Sequence, residues 1–570
     1  MTTTSGGATR IGGLTRERGP VVTAALLAIP LVFLGLFFVW PVATIVLTGL
    51  RPEGVLDLGA LWRVLQDPTV GGVAWFTLWQ AVVSTLLTLA LGIPGAYALS
   101  RLEFRGRGVL RAAVTVPFVL PTVVVASAFL ALLGPPSPLN TLLGGLFGEV
   151  APTIDLRRTV TAILIAHAFF NYAVVVRTVG GLWSLLDPRL EDAARVMGAS
   201  RWRAFREVSL PLLRPAIASA AAIVFLFTFT SFGVVLILGG PARATIEVEI
   251  HRATTQLLDL PLASVLALLQ LVAVVSALFV YGRLQRRATR QPLVSGDQTV
   301  RPPRTRGERL FLSANLTVMA VLLAAPLLVL VERSLDVDEG YGFGHYRTLF
   351  ATTADTILAV PPWVAIRNSI GFAVAATVVA VVVGALAATA AVTGRGPLAR
   401  VVDGALMVPL GTSAVTIGFG FLITLNRPPV DLRGSPLLIP LAQALIATPF
   451  VVRTLLPVLR SIDERLREAA ATLGATPRRI WQEVDLPIVG RALLVAAGFS
   501  FAIAVGEFGA TVFVARAQFP TMPVAIFRFL GRPGAANFGQ AMAMSTILMV
   551  VTASALLLID RLRVGQVGRF

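Results

Sequence analysis

The chain has 570 residues, of which 56% are apolar and only 14% charged, and its mean hydropathy is +0.81. A soluble domain of this composition would expose too much apolar surface to stay dissolved, which excludes an ordinary soluble enzyme or binding module. On a polar chain, a net charge of +18 would indicate nucleic-acid binding. Here the arginines occupy short loops between apolar runs, where they set membrane topology. We therefore expect the lipid bilayer, and no nucleic acid, as a partner.

Residues 1–20 are polar and precede an apolar run at 21–47. This run is too long for the h-region of a signal peptide and lacks a cleavage pattern, so it predicts a membrane helix. Runs of similar length recur along the chain. The predicted spans lie near 21–47, 74–99, 112–133, 158–183, 216–238 and 261–282, and then near 310–331, 367–393, 402–425, 435–458, 490–514 and 538–560. The sequence thus predicts an all-α integral membrane protein of about twelve transmembrane helices.

A stretch rich in arginine and proline separates the two sets of spans and indicates a solvated linker. The predicted organisation is an N-terminal tail (1–20), a first half (21–283), a linker (284–309), a second half (310–562) and a C-terminal tail (563–570). Arginines concentrate in alternate connections, namely both termini, the linker and the loops at 100–111, 184–215, 394–400 and 459–491. The positive-inside rule therefore predicts that these connections and both termini are cytoplasmic.

The two halves contain an internal repeat, which is strongest in two of the arginine-bearing loops. The segment RLEDAARVMGASRWRAFREVSLPLLRPA (189–216) aligns without a gap on RLREAAATLGATPRRIWQEVDLPIVGRA (465–492), at an offset of 276 residues. At this offset Gly198 matches Gly474, and Phe232-Gly233 matches Phe508-Gly509. The repeat therefore continues from the loops into the next spans.

The sequence of each loop predicts a short helix with an acidic, alanine-rich start, then a glycine that permits a tight turn, and then a second amphipathic stretch. A Leu-Pro pair is expected to stop this stretch before the next span. An ordered polar loop that occurs twice needs a partner surface. The alternative, a plain connection between two spans, leaves the matching of the two patterns unexplained.

The order of acidic residue, two alanines, three residues, glycine and a later Leu-Pro resembles the EAA loop of ABC importer permeases. This resemblance implies the type I importer permease fold, with two homologous six-helix halves and each loop forming a coupling helix on a cytoplasmic ATPase. The implied coupling residues are Asp192, Ala193, Ala194 and Gly198 in the first half and Glu468, Ala469, Ala470 and Gly474 in the second. The first loop departs from the pattern by having Asp192 where glutamate is usual, which keeps the charge.

The sequence has no lysine, and a P-loop needs its lysine at the β- and γ-phosphates, so this chain cannot be the ATPase. We expect no enzymatic activity and no cofactor on this chain, with ATP bound by a separate subunit. Because one chain carries two EAA-like loops, the resemblance implies two ATPase copies and an extracytoplasmic substrate-binding protein as partners. The implied location is the bacterial plasma membrane.

Single chains with two EAA loops resemble two groups of permeases, those for thiamine and those for ferric iron. The segments ILIAHAFFNYAVVVR (163–177), SFGVVLILGGPARATIEVEIHRAT (231–254) and ASVLALLQL (263–271) are more similar to the thiamine permeases. The resemblance thus favours thiamine or one of its phosphate esters as cargo, with ferric iron as the alternative.

Polar side chains inside predicted spans are the remaining functional candidates. Glu507 either lines the pathway or has a structural role, as the cap of a broken helix or a hydrogen-bond partner of a neighbouring helix, and the structural role is favoured. His167 and Asn171 lie one turn apart and share a helix face, which favours an interhelical hydrogen bond over a pathway role. His251 and His345 fall in predicted external loops and are expected to be ordinary surface residues. With no cysteine and no histidine cluster, the sequence predicts no metal site.

The resemblance implies alternating access driven by ATP, in which the halves rock as the coupling helices are drawn together. Two other classes remain as alternatives. An ion-coupled secondary carrier also uses two related six-helix halves, but it has no need of EAA loops. A membrane-embedded enzyme would need a nucleophile-and-base arrangement that the sequence does not offer.

Overall fold

The computed structural model describes residues 20–286 and 300–564, apart from gaps at 52–54, 56, 136, 149–152, 338–339, 352–356, 394–411, 428–429 and 433. In the first half the helices are α1 (Pro20–Leu34), α2 (Trp40–Leu50), α3 (Leu58–Gln66), α4 (Pro68–Arg101), α5 (Arg107–Ala113), α6 (Val116–Val119), α7 (Thr122–Leu133), α8 (Pro138–Phe147), α9 (Val160–Leu185), α10 (Arg189–Val196), α11 (Arg201–Ala204), α12 (Leu210–Phe229), α13 (Gly233–Leu238), α14 (Ile246–Arg252) and α15 (Leu260–Arg286).

In the second half they are α16 (Arg306–Met319), α17 (Ala325–Leu335), α18 (Gly344–Phe350), α19 (Pro362–Thr393), α20 (Ala414–Thr424), α21 (Leu438–Ser461), α22 (Glu464–Thr472), α23 (Pro477–Ile480), α24 (Leu486–Gly506), α25 (Thr511–Val514), α26 (Met522–Leu530) and α27 (Ala535–Val564). Two antiparallel ribbons, β1 (Asp336–Val337) with β2 (Gly340–Tyr341) and β3 (Asn426–Arg427) with β4 (Val430–Asp431), connect helices.

The predicted all-α membrane fold is confirmed. Among the described residues, ten helical segments are long and apolar enough to cross a membrane, and the bent pair α5–α6 with α7 makes eleven if it is counted as one span. The pair bends by 103°, where the predicted span at 112–133 was continuous. The predicted span at 402–425 lies partly outside the described residues, and α20 is its described part.

Two further predicted spans, 216–238 and 490–514, are interrupted, the second at Glu507, where the cap of a broken helix was one of the expected roles. Helix α12 ends at Phe229 and α24 at Gly506, and a short helix follows each break. Thr230-Ser231 occupies the first break and Glu507 the second. Such short polar side chains and carboxylates bond to nearby backbone groups and so compete with a continuous helix.

The Leu-Pro pairs also behave differently from the prediction, because they do not stop the helix. A π-helical turn at Phe205–Ser209 joins α11 to α12, and another at Trp481–Asp485 joins α23 to α24. Proline within an α-helix clashes with the carbonyl one turn earlier. The wider π turn just before each proline changes that register and lets the helix continue.

The two halves exchange helices at their starts. Helix α1 packs against α19, while α16 packs against α4; likewise α2 contacts α20, and α17 contacts α7. Each half therefore buries its first two helices on the other half. The buried hydrophobic core is continuous across both, which joins them into one membrane body.

Inside each half, the most extensive helix–helix contact is made by the same pair of elements, α4 with α9 in the first half and α19 with α21 in the second. Small residues permit close approach: a Cβ on Gly92 would lie 2.8 Å from Val175, and one on Gly384 would lie 2.7 Å from Val451. Val175 and Val451 match in the repeat. Glycine at such contacts is typical of membrane helix packing, where van der Waals contact replaces the hydrophobic effect.

Candidate functional site

The two repeated loops, which we call the first loop (187–209) and the second loop (463–485), have the same backbone fold. Helices α10 and α22 begin after Asp187 and Asp463, whose carboxylates accept the amides two residues on, at 2.9 and 3.0 Å. Each helix ends at a glycine of positive φ, +91° at Gly198 and +83° at Gly474. The sequence repeat is therefore also a structural repeat.

Both helix ends are closed by the same pair of hydrogen bonds. The amide of Ala199 donates to the carbonyl of Ala194 and that of Ala475 to Ala470, each at 3.0 Å. The amide of each glycine donates to the carbonyl three residues earlier, at 3.0 Å for Gly198 and 2.9 Å for Gly474. This Schellman arrangement needs a left-handed residue at the glycine position, which explains why glycine stands there.

The loops present apolar side chains to solvent. Val196 is 89% exposed, Met197 82% and Leu473 88%. The implied coupling residues Asp192, Ala193, Glu468 and Ala469 are exposed beside them, whereas Ala194 is buried and Ala470 half-buried. Exposed apolar side chains beside charged ones at a helix end are typical of a protein interaction surface.

Each loop is fastened to the helix that follows it by one side-chain contact at equivalent positions. The hydroxyl of Ser209 donates to Glu191 in the first loop, and Nε of Arg467 donates to Asp485 at 2.8 Å in the second. Glu191 matches Arg467 in the repeat, and Ser209 matches Asp485. The chemistry differs, but both contacts join the short helix to the π turn.

The end of the linker contacts the first loop. Glu308 accepts from Arg301 at 2.8 Å and from Arg201 of the first loop at 2.9 Å, with its side chain only 11% exposed. Backbone hydrogen bonds from Glu103 to Arg301 and from Arg301 to Arg101, at 2.9 and 3.1 Å, hold the linker against the end of α4. Proximity to the Glu308 carboxylate raises the pKa of Arg301.

The halves meet at a cluster of aromatic rings, made of Phe232, Phe508, Phe513, Phe527 and His251. Phe232 and Phe508, which match in the repeat, stack with centroids 5.5 Å apart and planes inclined by 24°. The His251 ring lies 5.5 Å from Phe232 and 5.4 Å from Phe513. Contact between equivalent residues places the stack at the approximate two-fold axis.

A cavity of about 820 Å³ lies between the halves beside this cluster. The first half contributes Leu130, Asp155, Arg157, Arg158 and residues between Leu236 and Gln256, and the second contributes Phe527, Leu530, Gly531 and Phe538. Helix α9 begins next to the cavity at Val160 and ends next to the first loop at Leu185. The cavity and the loops therefore lie at opposite ends of the spans.

Glu507 lies at the break between α24 and α25 and is buried. Its carboxylate accepts from the amides of Ala510 and Thr511, at 2.7 and 2.9 Å, and from the hydroxyl of Thr511. These contacts satisfy amides that the interrupted helix leaves without partners. The geometry is that of a helix cap.

His167 and Asn171 lie together on α9, and both are buried. The His167 ring bonds to Ser84 of α4 at 3.0 Å and to Ser231 at the break after α12 at 2.8 Å. Asn171 donates to the carbonyl of His167 at 3.0 Å. His167 thus connects three segments by interhelical hydrogen bonds.

The prediction that His251 is an ordinary surface residue is wrong. Its segment folds as α14, which packs against α15, and His251 is only 7% exposed. His345 lies in α18 and is half-buried, with Nε2 2.7 Å from the carbonyl oxygen of Asp336. Hydropathy located these histidines between spans, but it gave no sign that α14 folds back into the protein.

The family described as binding-protein-dependent transport system inner membrane component matches residues 88–290 of the chain. The sulfate transport system permease protein CysT of Escherichia coli is 33% identical over 234 residues, which cover 40% of this chain and 82% of that protein. The chain belongs to this family. It is a multi-pass membrane permease of the type I importer fold.

Two relatives match the permease along both halves. The thiamine transport system permease protein ThiP of Brucella abortus is 28% identical over 513 residues, covering 88% of each chain. That of Escherichia coli is 29% identical over 482 residues, covering 83% of this permease and 86% of the relative. The two-half architecture is therefore shared with these proteins, whereas the sulfate permease matches only part of it.

Sequence reasoning did not find the buried carboxyl of Glu247 in this permease. Glu247 on α14 accepts from Gln270 of α15 at 3.0 Å and from Ser413, which precedes α20, at 2.6 Å. The carboxyl thus links the first half to the second. The only signal in the sequence was the alternation of IEVEIHR, which by itself indicates a half-buried strand or loop.

Proposed function

We propose that this chain is the complete membrane permease of an ATP-driven, binding-protein-dependent importer for thiamine or its phosphate esters. The observation that carries the cargo assignment is the similarity to thiamine transport permeases along 88% of the chain, which includes both halves. Of the segments that resemble thiamine permeases, 231–254 contains Phe232 and His251 of the aromatic cluster and lines the cavity.

The two loops dock on two copies of a cytoplasmic ATPase, which binds the ATP. Support comes from their identical helix ends and from the exposed Val196, Met197 and Leu473. The loop side is then cytoplasmic, as are both termini and the linker, in agreement with the distribution of arginine. The cavity faces outward, where a substrate-binding protein delivers the cargo, and the permease itself needs no cofactor.

Transport proceeds by alternating access. A contact at each loop, Glu191 with Ser209 or Arg467 with Asp485, fastens the coupling helix to the start of a span. That span leads to Phe232 in one half and to Phe508 in the other. Closure of the ATPase dimer draws the loops together, and the rigid helices transmit the motion, so that the stacked rings part and the cavity connects to the pathway.

The test combines binding and uptake. The cognate binding protein is titrated by calorimetry with thiamine, thiamine monophosphate and ferric iron, and the complete importer is assayed in proteoliposomes for ATP-dependent uptake. Micromolar or tighter binding and uptake of thiamine or its ester are expected. Binding and uptake of iron alone would overturn the cargo, and uptake without any ATPase would overturn the coupling.

A further inference from the structure

The wall of the cavity is basic. Arg157, Arg158 and Arg252 line it, together with the single carboxylate of Asp155. Asp155 is occupied by Arg157, which donates to it from Nε at 2.9 Å and from Nη2 at 2.8 Å. These hydrogen bonds lower the pKa of Asp155, so the pair stays ionised and mutually neutralised. Arg252 lies 3.9 Å from the carboxylate of Glu249, so the excess positive charge comes from Arg158.

Arg158 is held in an unusual conformation. Its φ of +56° is in the left-handed region, which a residue with a long side chain rarely adopts. The side chain lies across Gly240, where an added Cβ would come within 3.0 Å of Arg158 Cγ. Arg158 forms no hydrogen bond or salt bridge within the described ranges. A strained arginine left without a partner beside a cavity indicates an anion-binding role.

The floor of the cavity is aromatic. Phe527 and His251 line it, and both belong to the aromatic cluster that closes the space between the halves. His251 is only 7% exposed, yet its Nδ1 atom has no hydrogen-bond partner in the part of the chain that the structure describes. Burial lowers the pKa of His251 to about 4, so the ring is neutral at physiological pH. A neutral imidazole can form a hydrogen bond with a cationic heteroaromatic ring without repelling the positive charge of that ring.

We infer that this cavity is the cargo site of the permease and is built for a flat heteroaromatic ring that carries an anionic group such as a phosphate ester. The ring lies against Phe527 and bonds to His251, while Arg158 binds the phosphate. This inference rests on the proposed function, because it chooses among the cargos proposed there. It assigns the phosphate ester, in preference to free thiamine, as the cargo that matches the cavity.

The experiment measures uptake of thiamine and of thiamine monophosphate by the complete importer in proteoliposomes. The variants are Arg158→Gln, Arg158→Lys and His251→Phe, with Arg63→Gln as a matched control because Arg63 is exposed on α3 and pairs with Asp57 away from the cavity. Loss of one charge-assisted contact predicts that Arg158→Gln lowers kcat for the ester about tenfold and changes thiamine uptake by less than about twofold. Arg158→Lys should keep most of the ester uptake.

His251→Phe keeps a ring in the cluster and removes the nitrogen, so uptake of both cargos should fall by about threefold to tenfold. His251→Asn, which returns a polar nitrogen near Nδ1, should restore part of it. The KM for the loaded binding protein should not change in any variant, because docking is not altered. The ATP hydrolysed per cargo molecule should rise, which a merely destabilised permease would not show.

The outcomes separate the two proposals. If the wild-type importer carries neither compound, the thiamine assignment fails. If it carries thiamine but never the ester, or if Arg158→Gln slows both cargos equally, the phosphate-binding role of Arg158 is wrong while the thiamine assignment stands. Unchanged uptake in His251→Phe would overturn the role of the cavity floor.

Discussion

The ring of Phe232 stacks on the ring of Phe508 at 5.5 Å, although the residues are far apart in the chain and belong to different halves. They occupy the same position of the internal repeat, and each follows a broken span. A pair of equivalent residues can touch only at the symmetry axis of the two halves. The distance between them therefore reports directly on whether the halves are together or apart at the cavity end.

This relationship predicts a cross-link that depends on the transport state. The chain has no cysteine, so Phe232→Cys with Phe508→Cys introduces the only two thiols. In the nucleotide-free importer a short thiol-to-thiol reagent should join them, and ATP with vanadate should lower the yield, because the halves part. Locked permease should lose uptake and regain it on reduction.

Phe232→Cys with Phe227→Cys serves as the control, since Phe227 is 42% exposed on the outer face of α12. These two thiols belong to one half, so any reaction between them should not respond to nucleotide. A cross-link of Phe232→Cys with Phe508→Cys that is equally strong in every nucleotide state would contradict the rocking of the halves.

The second prediction concerns the glycines that end the loop helices. Gly198→Ala and Gly474→Ala force a side chain into positive φ, which costs about 1 kcal/mol or more even though no atom lies within 4 Å of the added Cβ. The loop should then lose its turn, and ATPase stimulation by loaded binding protein should fall several-fold, more in the double variant.

Asparagine tolerates the left-handed region better than alanine, so Gly198→Asn should retain more stimulation than Gly198→Ala. Gly108→Ala is the matched control, because this glycine lies within the short helix α5, has open space around it and has no positive φ. Equal effects of alanine at Gly108 and Gly198 would show that the turn does not matter for coupling.

Much of the fold follows from the sequence, because a membrane helix requires a long apolar run, and such a run can be recognised without knowing its tertiary contacts. The equivalence of Gly198 and Gly474 was visible for the same reason, since a turn of positive φ is a local requirement. The break at Ser231 was not visible, because its flanking residues are mostly apolar, whereas the carboxylate of Glu507 had already indicated a broken helix as one alternative.

The burial of α14, which carries His251 of the cavity floor, was harder to predict from the sequence. Glu247 and Ser413 are distant in sequence and meet only because α14, which also carries His251, folds back between the halves. A polar segment between two spans is normally a solvated connection, so hydropathy predicted the opposite of burial. Pairing across the repeat cannot help, since His251 has no equivalent histidine in the second half.

The third prediction uses the different chemistry of the two loop contacts. Arg467→Glu sets two carboxylates against each other at the contact with Asp485, whose side chain is 16% exposed. Like-charge repulsion at a partly buried site should lower stimulated ATPase activity by about threefold to tenfold. Adding Asp485→Ser reproduces the glutamate and serine of the first loop and should restore the activity to within about twofold.

Arg63→Glu is the control for this pair, because Arg63 is exposed and its partner Asp57 lies outside the two loops. It should change the activity little, as exposed ion pairs contribute little. If Arg467→Glu with Asp485→Ser remains as impaired as Arg467→Glu alone, the two contacts are not equivalent fasteners.

The last prediction tests whether the linker communicates with the first loop. Glu308 bonds Arg301 of the linker and Arg201 of the loop, and it also caps α16 through the amides of Arg304 and Thr305. Glu308→Gln keeps an oxygen for the cap and removes the charge, so its cost should come mainly from the two arginines. Because these contacts are partly exposed, we expect a loss of about 1 kcal/mol in thermal unfolding of the purified permease.

The double-mutant cycle with Arg201→Gln isolates the contact itself. Since the two side chains share one contact, the double variant should cost little more than Glu308→Gln alone, both in stability and in stimulated ATPase activity. Arg203→Gln, which removes a neighbouring arginine paired only with Glu207 among the described residues, should be additive with Glu308→Gln. Additivity in both cycles would mean that the linker lies beside the loop without transmitting force, and the start of the second half would then move independently of the first coupling helix.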